Sequence, residues 1–351
     1  MSDVFVILPN GAKGGAERVL TGLIQNLHDN GKNCTLIYLS DEQLPGFGFS
    51  GKVEVKKGSF LINLIIFLPL RLAKLNKNAI VISSQFYINV WVGFLKNIGI
   101  CRAKTIARES TRIFIRYRGW RKWMAELGVR MFYKQHNLIV AQTNAMARDI
   151  SSLSNELHVI HLPNPFEPLK HTNQIDLPKS WYDFPLIVAA GRLIPIKRFD
   201  LLIKAFSPIS ERAKLLILGE GPERTKLEEL ILSENLKGKV LLKGEVKNPI
   251  AYFDRAACCV VSSELEGFPN VLLEMMYSNG AIVSTLCADG IAKLPGVVKC
   301  KPNNVSALEM AINTVLSLSN KELKKNRDEM LKHLGSRTFQ KYWENILINV
   351  I

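Results

Sequence analysis

The sequence predicts an α/β protein of two doubly wound parallel-sheet domains that face each other across a cleft, with helices closing the chain. Three observations predict it. Short aliphatic and β-branched runs alternate with helical patterns along nearly the whole chain, the βαβα rhythm of a parallel sheet covered on both faces. That rhythm breaks over 161–184, where Pro163, Pro165, Pro168 and Pro178 gather, and restarts at Pro185. At 351 residues the chain exceeds one ordinary α/β core; it suits two domains of about 150–180 residues. The expected division is an N-terminal domain over 1–165, a linker over 166–184 and a C-terminal domain over 185–334. A last helix over 335–351 is free to pack back on the N-terminal domain.

In chain order, the first half offers strands at 4–8, 34–39, 79–83, 104–107, 137–141 and 157–160, each a short buried-type apolar run. Three-to-four apolar spacing puts helices at 16–29, 60–75, 88–97, 121–134 and 144–152. The second half offers strands at 186–190, 213–218, 240–243, 257–261 and 281–284, with helices between them and three more over 305–318, 321–334 and 336–348.

Composition narrows the function. The net charge of +15 is uneven: residues 1–165 hold 21 Lys and Arg against 10 Asp and Glu, and the remainder 25 against 21. The excess sharpens from Arg102 to Lys134, with ten basic residues and two acidic ones. A basic half implies an anionic partner: a phosphorylated substrate, an anionic membrane or nucleic acid. The six cysteines lack CxxC spacing and read as reduced, mostly buried thiols of a cytosolic protein. Strand-like residues begin almost at once, so no signal peptide is expected. The apolar run over 60–70 contains Asn63 and Pro69; it falls short of the roughly twenty residues that span a bilayer. The histidines show no H-x₃-H or HExxH spacing, and no metal is expected.

Between Ser262 and Thr285 the chain reads SSELEGFPNVLLEMMYSNGAIVST. A β-branched run ends in serines, an acidic-glycine turn follows, and Phe268-Pro269-Asn270 opens an apolar helical run. Pro269 suits a first helical turn, where its missing N–H would have no partner. Free backbone donors there attract phosphate. Glu274 follows Glu266 by eight residues; at ~1.5 Å per residue, two acids on one side would stand on the order of 12 Å apart. That separation suits one acid for sugar hydroxyls, one for a ribose and a diphosphate between them. An ordinary turn before a helix has the same pattern.

Gly191-Arg192 ends the first strand of the second half, with Lys197 five residues on. Arginine forks across two phosphate oxygens and lysine adds a compact charge. No Asp-x-Asp occurs, so this pair is the obvious means of neutralising a departing diphosphate; two solvated surface cations are the alternative. Gly14 and Gly15, in a loop from the first strand to the first helix, allow close backbone approach. Their loop is neither GxGxxG nor GxxxxGK[ST], and a tight turn without ligand remains open. Glu220, in Gly219-Glu220-Gly221-Pro222, shapes a wall, and Val246 follows a strand where backbone groups could meet a flat base. Arg108-Glu109-Ser110 ends an N-domain strand, as an acceptor-facing group or a structural ion pair. Ile113, Tyr117, Trp120, Trp123 and Leu127 follow helical spacing among Arg112, Arg116, Arg121 and Lys122, interrupted by Gly119. They suit a basic amphipathic surface helix or a core-facing one.

Together these residues resemble the retaining glycosyltransferases of family 4, which have two Rossmann-like domains (the GT-B architecture). GGAERV at Gly14–Val19, GRL with Lys197, GEGP at Gly219–Pro222 and EGFPNVLLE at Glu266–Glu274 carry the likeness. GGAERV is typical of the bacterial branch that builds surface polysaccharides and lipid-linked oligosaccharides. The resemblance implies that Arg192, Lys197 and Glu266 are catalytic, the cations on the donor diphosphate and Glu266 on the donor sugar. Glu274 would take the ribose. Gly267, Phe268, Pro269, Asn270 and Val271 would line the donor with Gly191, Glu220 and Val246, and Gly14 and Gly15 from the other domain. Arg108, Glu109, Arg112 and Arg116 are the acceptor-side candidates. Family members often carry a histidine where this chain has Arg108-Glu109-Ser110. The usual Gly-Pro…Glu-Ile-Leu stretch has become Asp289–Leu294.

The implied activity is transfer, with retention and no cofactor, of a hexose or N-acetylhexosamine from a nucleotide diphosphate sugar, UDP-linked being expected. The acceptor would be a polyprenyl-diphosphate-linked saccharide of O-antigen, capsule or a related glycan. The enzyme would be cytoplasmic and peripheral, its basic half against the anionic inner membrane surface; nucleic acid is not expected. A UDP-sugar 2-epimerase of the same architecture, or a non-catalytic nucleotide-sugar or membrane-binding module, are the alternatives.

Overall fold

The computed structural model describes residues 3–11, 14–41, 48–167 and 175–350. The chain divides into two units, Met1–Phe166 with Arg337–Ile351, and Glu167–Ser336.

The first unit holds seven parallel strands: β1 (Val4–Leu8), β2 (Cys34–Tyr38), β3 (Lys52–Val55), β4 (Ile80–Ser84), β5 (Lys104–Glu109), β6 (Leu138–Ala141) and β7 (Val159–His161). Their order is β3-β2-β1-β4-β5-β6-β7. β1, β2 and β4 are buried along their whole length, as β-branched runs covered on both faces must be. The helices are α1 (Gly15–Asp29), α2 (Phe60–Ile62), α3 (Leu68–Leu72), α4 (Phe86–Asn97), α5 (Ile113–Arg116), α6 (Trp120–Phe132) and α7 (Asn144–Ser151). The helix expected over 60–75 is shorter and contains a π-helical turn, Asn63–Phe67, between α2 and α3. The aromatic-basic pattern after Arg112 forms two helices, broken at Gly119 with φ +56°, a backbone state open to glycine at little cost.

The second unit holds β8 (Leu186–Ala190), β9 (Lys214–Leu218), β10 (Val240–Gly244), β11 (Cys258–Val261), β12 (Ile282–Thr285) and β13 (Val297–Cys300). They are parallel in the order β10-β9-β8-β11-β12-β13, the doubly wound 3-2-1-4-5-6 arrangement. Around them lie α8 (Phe199–Phe206), α9 (Arg224–Ser233), α10 (Ile250–Arg255), α11 (Asn270–Ser278), α12 (Val305–Leu316) and α13 (Asn320–Leu334).

α14 (Phe339–Val350) ends the described chain and belongs to the first unit. Its Phe339, Tyr342, Trp343, Ile346 and Val350 join Val4, Leu20, Leu23 and Tyr38 in one core. All six cysteines are free and buried. β3 and β13 were not expected from the sequence. Both are four residues long, and β3 is an edge strand whose Lys-Val-Glu-Val is largely exposed.

Candidate active site

Doubly wound sheets bind ligands at the carboxyl ends of their strands, where the strand order reverses. In the second unit that place lies between β8 and β11, and the chain brings three expected features there. The loop after β8 carries Gly191, Arg192 and a short 3₁₀ turn, Pro195–Lys197. The loop after β11 carries Ser262 to Pro269 and leads into α11.

These two loops are stitched together. Glu264 N donates to Ile196 O at 2.8 Å, and Ser262 Oγ to Lys197 O at 2.8 Å. Lys197 Nζ donates to Glu266 Oε1 at 2.5 Å, and Ser263 Oγ donates to the same oxygen at 2.8 Å. Glu266 N and Thr285 Oγ1 anchor the loop from below, on Cys287 O at 2.8 Å and Ser263 O at 2.6 Å. The Lys197 and Glu266 side chains are only 18% and 17% exposed. In such partial burial a charge pair is screened far less than on an open surface. The sequence assigns Lys197 to phosphate and Glu266 to sugar; it does not reveal that the two hold each other.

Close backbone packing sets the floor. A Cβ on Gly219 would stand 2.0 Å from Gly191 O, and one on Gly221 2.4 Å from Leu193 O. Gly219 also has φ +136°, so glycine is required there twice over. Gly191 N bonds Leu218 O at 2.9 Å and Leu193 N bonds Glu220 O at 2.8 Å. The Gly-Glu-Gly-Pro turn therefore supports the Gly191–Leu193 loop by its backbone. The Glu220 carboxylate is engaged elsewhere, accepting from Arg224 Nε at 2.9 Å and Nη2 at 2.6 Å. Val246 is half-buried in the loop after β10. Arg192 is exposed and makes no ion pair among the described residues; it is an unoccupied cation beside the couple.

α11 corrects two expectations. Pro269 is the residue before the helix, with Asn270 the first helical one. Glu266 therefore lies in the loop, not on the helix, and the helical rise does not measure its separation from Glu274. Glu274 is buried in the second turn of α11. Gly267, Phe268 and Val271 are half-buried around the helix start, and Pro269 is buried.

In the first unit the corresponding place lies between β1 and β4. Gly14 precedes α1 and Gly15 begins it; Ala12 and Lys13 of the same loop lie outside the described residues. Glu17 curls back over Gly14, so that a Cβ there would meet its Oε2 at 2.2 Å. Gln85, directly after β4, donates from Nε2 to Glu17 Oε1 at 3.0 Å. Gln85 has φ +85° and ψ 126°, a state that costs a non-glycine residue on the order of 1–3 kcal/mol. Sequence reasoning missed both Glu17 and Gln85.

Arg108 and Glu109 do not face solvent: each is 1% exposed. Nor do they pair with one another, because consecutive strand residues point to opposite faces. Arg108 Nη2 donates to Asn164 Oδ1 at 2.7 Å and Gln142 Oε1 at 3.4 Å. Glu109 Oε1 accepts from Asn89 Nδ2 at 2.6 Å and from the Tyr133 hydroxyl. Burial pushes the Glu109 carboxyl up to about 7, against the pull of Tyr133, Asn89 and Arg108. His136 Nε2 lies 2.9 Å from Asn89 O, and burial pushes its imidazole down to about 4. Arg112 is held by Asp149, with Nη2 at 2.9 Å from Oδ2. The Arg116 side chain lies outside the described residues. Arg108 and Glu109 are thus buried ties, and Arg112 is a partly exposed one held by Asp149.

Residues 178–332 match the family model for glycosyl transferases group 1. The second unit is a group 1 glycosyltransferase domain. The sequence is 33% identical to an uncharacterized glycosyltransferase of Methanocaldococcus jannaschii over 193 residues, 51% of this chain and 46% of the relative. It is 39% identical over 110 residues, 31% of this chain and 30% of the relative, to the N-acetylgalactosamine-N,N'-diacetylbacillosaminyl-diphospho-undecaprenol 4-alpha-N-acetylgalactosaminyltransferase of Campylobacter jejuni. The chain therefore spans less than half the length of these curated relatives. Anabaena HepE in complex with UDP has the same fold, with TM-score 0.77 at 15% identity over 100% of this chain and 99% of that one. The group 1 domain and the GT-B architecture agree with the expectation from the Glu-Gly and Gly-Arg motifs.

Proposed function

We propose that this chain is a retaining glycosyltransferase. It moves a hexose or N-acetylhexosamine from a UDP-linked donor to a polyprenyl-diphosphate-linked saccharide at the inner face of a bacterial membrane, in O-antigen, capsule or related glycan synthesis. The observation that carries this reading is the Lys197–Glu266 couple at the β8 and β11 ends of a group 1 domain, with Arg192 exposed beside it. A diphosphate brings more negative charge than a carboxylate. On its arrival the Lys197 ammonium turns toward phosphate, with Arg192, and Glu266 is released to accept from donor-sugar hydroxyls. The α11 N-terminus adds backbone donors near Phe268–Asn270, and Glu274 takes the ribose.

No carboxylate stands out as a covalent nucleophile, so the reading is front-face substitution. The bond from anomeric carbon to phosphate oxygen breaks as the acceptor hydroxyl oxygen bonds to that carbon on the same face. The hydroxyl proton passes to the departing phosphate oxygen. Arg192 and Lys197, rather than a metal, carry the stabilisation of that leaving group. The UDP bound by Anabaena HepE and the undecaprenol-linked substrate in the Campylobacter relative's name support the donor and acceptor classes. The membrane part rests on α6, which exposes Trp120, Trp123, Met124 and Met131 among Arg121, Lys122 and Arg130.

Transfer of radiolabelled sugar from UDP-, GDP- and dTDP-sugars into a bacterial lipid extract tests it. The expected result is transfer from a UDP-sugar, with the anomeric configuration kept and no loss on chelation. Donor consumption without acceptor would favour the epimerase, and strict dependence on Mg²⁺ or Mn²⁺ would remove the metal-free assignment.

A further inference from the structure

The segment from α2 through the π turn to α3 is apolar on both sides, yet only one side is covered. Leu64, Leu68, Leu72 and Leu75 face inward and join the core with Phe5, Ile7 and Val81. Leu61, Ile62, Ile65, Ile66 and Leu70 face outward, 56–63% exposed. Helices that are hydrophobic all round are normally buried, and a contiguous exposed apolar stripe marks an interaction surface.

The stripe is held facing out. Asn63, buried within the π turn, donates through Nδ2 to Leu39 O at 3.0 Å, Lys57 O at 3.2 Å and Lys56 O at 3.3 Å. Trp91 Nε1 donates to Leu64 O at 2.8 Å. These bonds clamp the inner side and fix the rotation of the helix, so the outer side cannot turn in. A π turn inserts an extra residue into the helical ladder, an irregularity that commonly serves a function.

Its charge setting identifies the partner. Residues 52–77 contain Lys52, Lys56, Lys57, Arg71, Lys74 and Lys77 against Glu54 alone. Glu54 is taken by Arg71 and Lys52, at 2.9 and 3.1 Å. Lys56, Lys57, Lys74 and Lys77 have no ion-pair partner among the described residues and stand at the two ends of the stripe, with Lys56 Nζ 5.2 Å from the Phe67 ring centre. Aliphatic side chains flanked by lysines that reach outward is the pattern of a helix lying in a bilayer interface. Aromatic groups belong to the same unit: Tyr87 of α4 meets Phe60 edge-on at 5.6 Å, and α6 carries Trp120 at 71% and Trp123 at 61% exposure. Tyr and Trp favour the headgroup level. A protein partner fits less well. The helical stretch Leu61–Leu70 covers ~15 Å of length, on the order of a few hundred Å² on one face, against roughly 800 Å² per partner in a stable interface.

We infer that the Leu61–Leu70 face is a shallow insertion element for an anionic lipid bilayer. It extends the membrane part of the proposed function and does not depend on the transferase part. The test is flotation of the full chain with vesicles of phosphatidylethanolamine and phosphatidylglycerol, and with neutral phosphatidylcholine vesicles. The wild type should float with the anionic vesicles and less with the neutral ones. Ile62→Asp with Ile66→Asp should lower the bound fraction at least about tenfold at an unchanged thermal midpoint. Leu61→Gln with Leu70→Gln, which adds no charge, should lower it in the same direction and provides the readout if the aspartates disturb folding. Undiminished flotation of these folded variants, or a wild type that does not float, overturns the inference. So does a lipid-free dimer that the substitutions dissolve, since the face then belongs to a second copy. Sugar transfer measured on the same preparations keeps the two readings apart. A chain that floats without transferring sugar removes the transferase, and one that transfers without floating removes the insertion element.

Discussion

At the ends of β8 and β11 the second unit sets a lysine against a glutamate; at the corresponding ends of β1 and β4 the first unit sets a glutamine against a glutamate. The strand orders around these places are the same. The second unit places at its switch point a partly buried charge couple with an exposed arginine in the same loop. The first places at its own a neutral donor held in a strained backbone state over a helix start. One topology thus carries two different polar pairs, and the side chains rather than the sheet set the charge at each place.

The largest test of this contrast is removal of the cations. Lys197→Ala or Arg192→Ala should each lower turnover about 10²–10³-fold, while Gln85→Ala should leave the affinity for the nucleotide unchanged. Equal loss of nucleotide binding in all three, by calorimetry, would erase the division of labour.

A second test uses pH, because the first unit keeps titratable groups inside. The folded chain holds the Glu109 proton up to about pH 7, whereas an ordinary carboxyl releases it near 4.5. This group's contribution is therefore complete at low pH and lost as pH rises toward 7. His136 runs the other way: it is kept neutral down to about 4 against an ordinary 6.5, so its contribution is lost as pH falls through that window. The two trends oppose each other, and Glu109→Gln leaves His136 alone. The variant's unfolding free energy should then climb more steeply than the wild type's between roughly pH 5 and 6.5, by about 1.4 kcal/mol per unit. Parallel urea-melt profiles would show that Glu109 is ionised in the fold.

The smallest expected effect is at Gln85. Gln85→Gly relieves the backbone state but loses the bond to Glu17 and adds chain entropy to the unfolded state. A net gain of about 0.5–1 kcal/mol is expected. A loss of stability instead would mean that the Gln85–Glu17 contact outweighs the strain.

Local patterns made the sheets legible. Runs such as Val4–Leu8 and Leu186–Ala190 are too apolar and too short to be anything but covered strands. The site was legible only in part, as motifs. The pairs that organise it, Lys197 with Glu266 and Gln85 with Glu17, join residues 69 and 68 positions apart, and no spacing rule reaches that far. Glu266 and Glu274 misled in the opposite way: a helical ruler was laid across a loop. Arg108 and Glu109 read either as an acceptor-facing group or as a structural ion pair, and they are neither paired with one another nor exposed; amides at Asn89, Gln142 and Asn164 supply the partners that let this strand end stay inside.

α14 carries one more consequence. It supplies five aromatic and aliphatic side chains to a core whose other members run from Val4 to Val140. During synthesis the second unit is complete at Ser336, while the first, interrupted at Phe166, waits for residues that follow it. Making the 170 residues from Glu167 to Ser336 at ~5–20 residues per second puts that delay on the order of ten seconds or more. The first unit therefore completes its core only after the second unit has been made, with Val4, Leu20 and Leu23 lacking the α14 part of their packing until then.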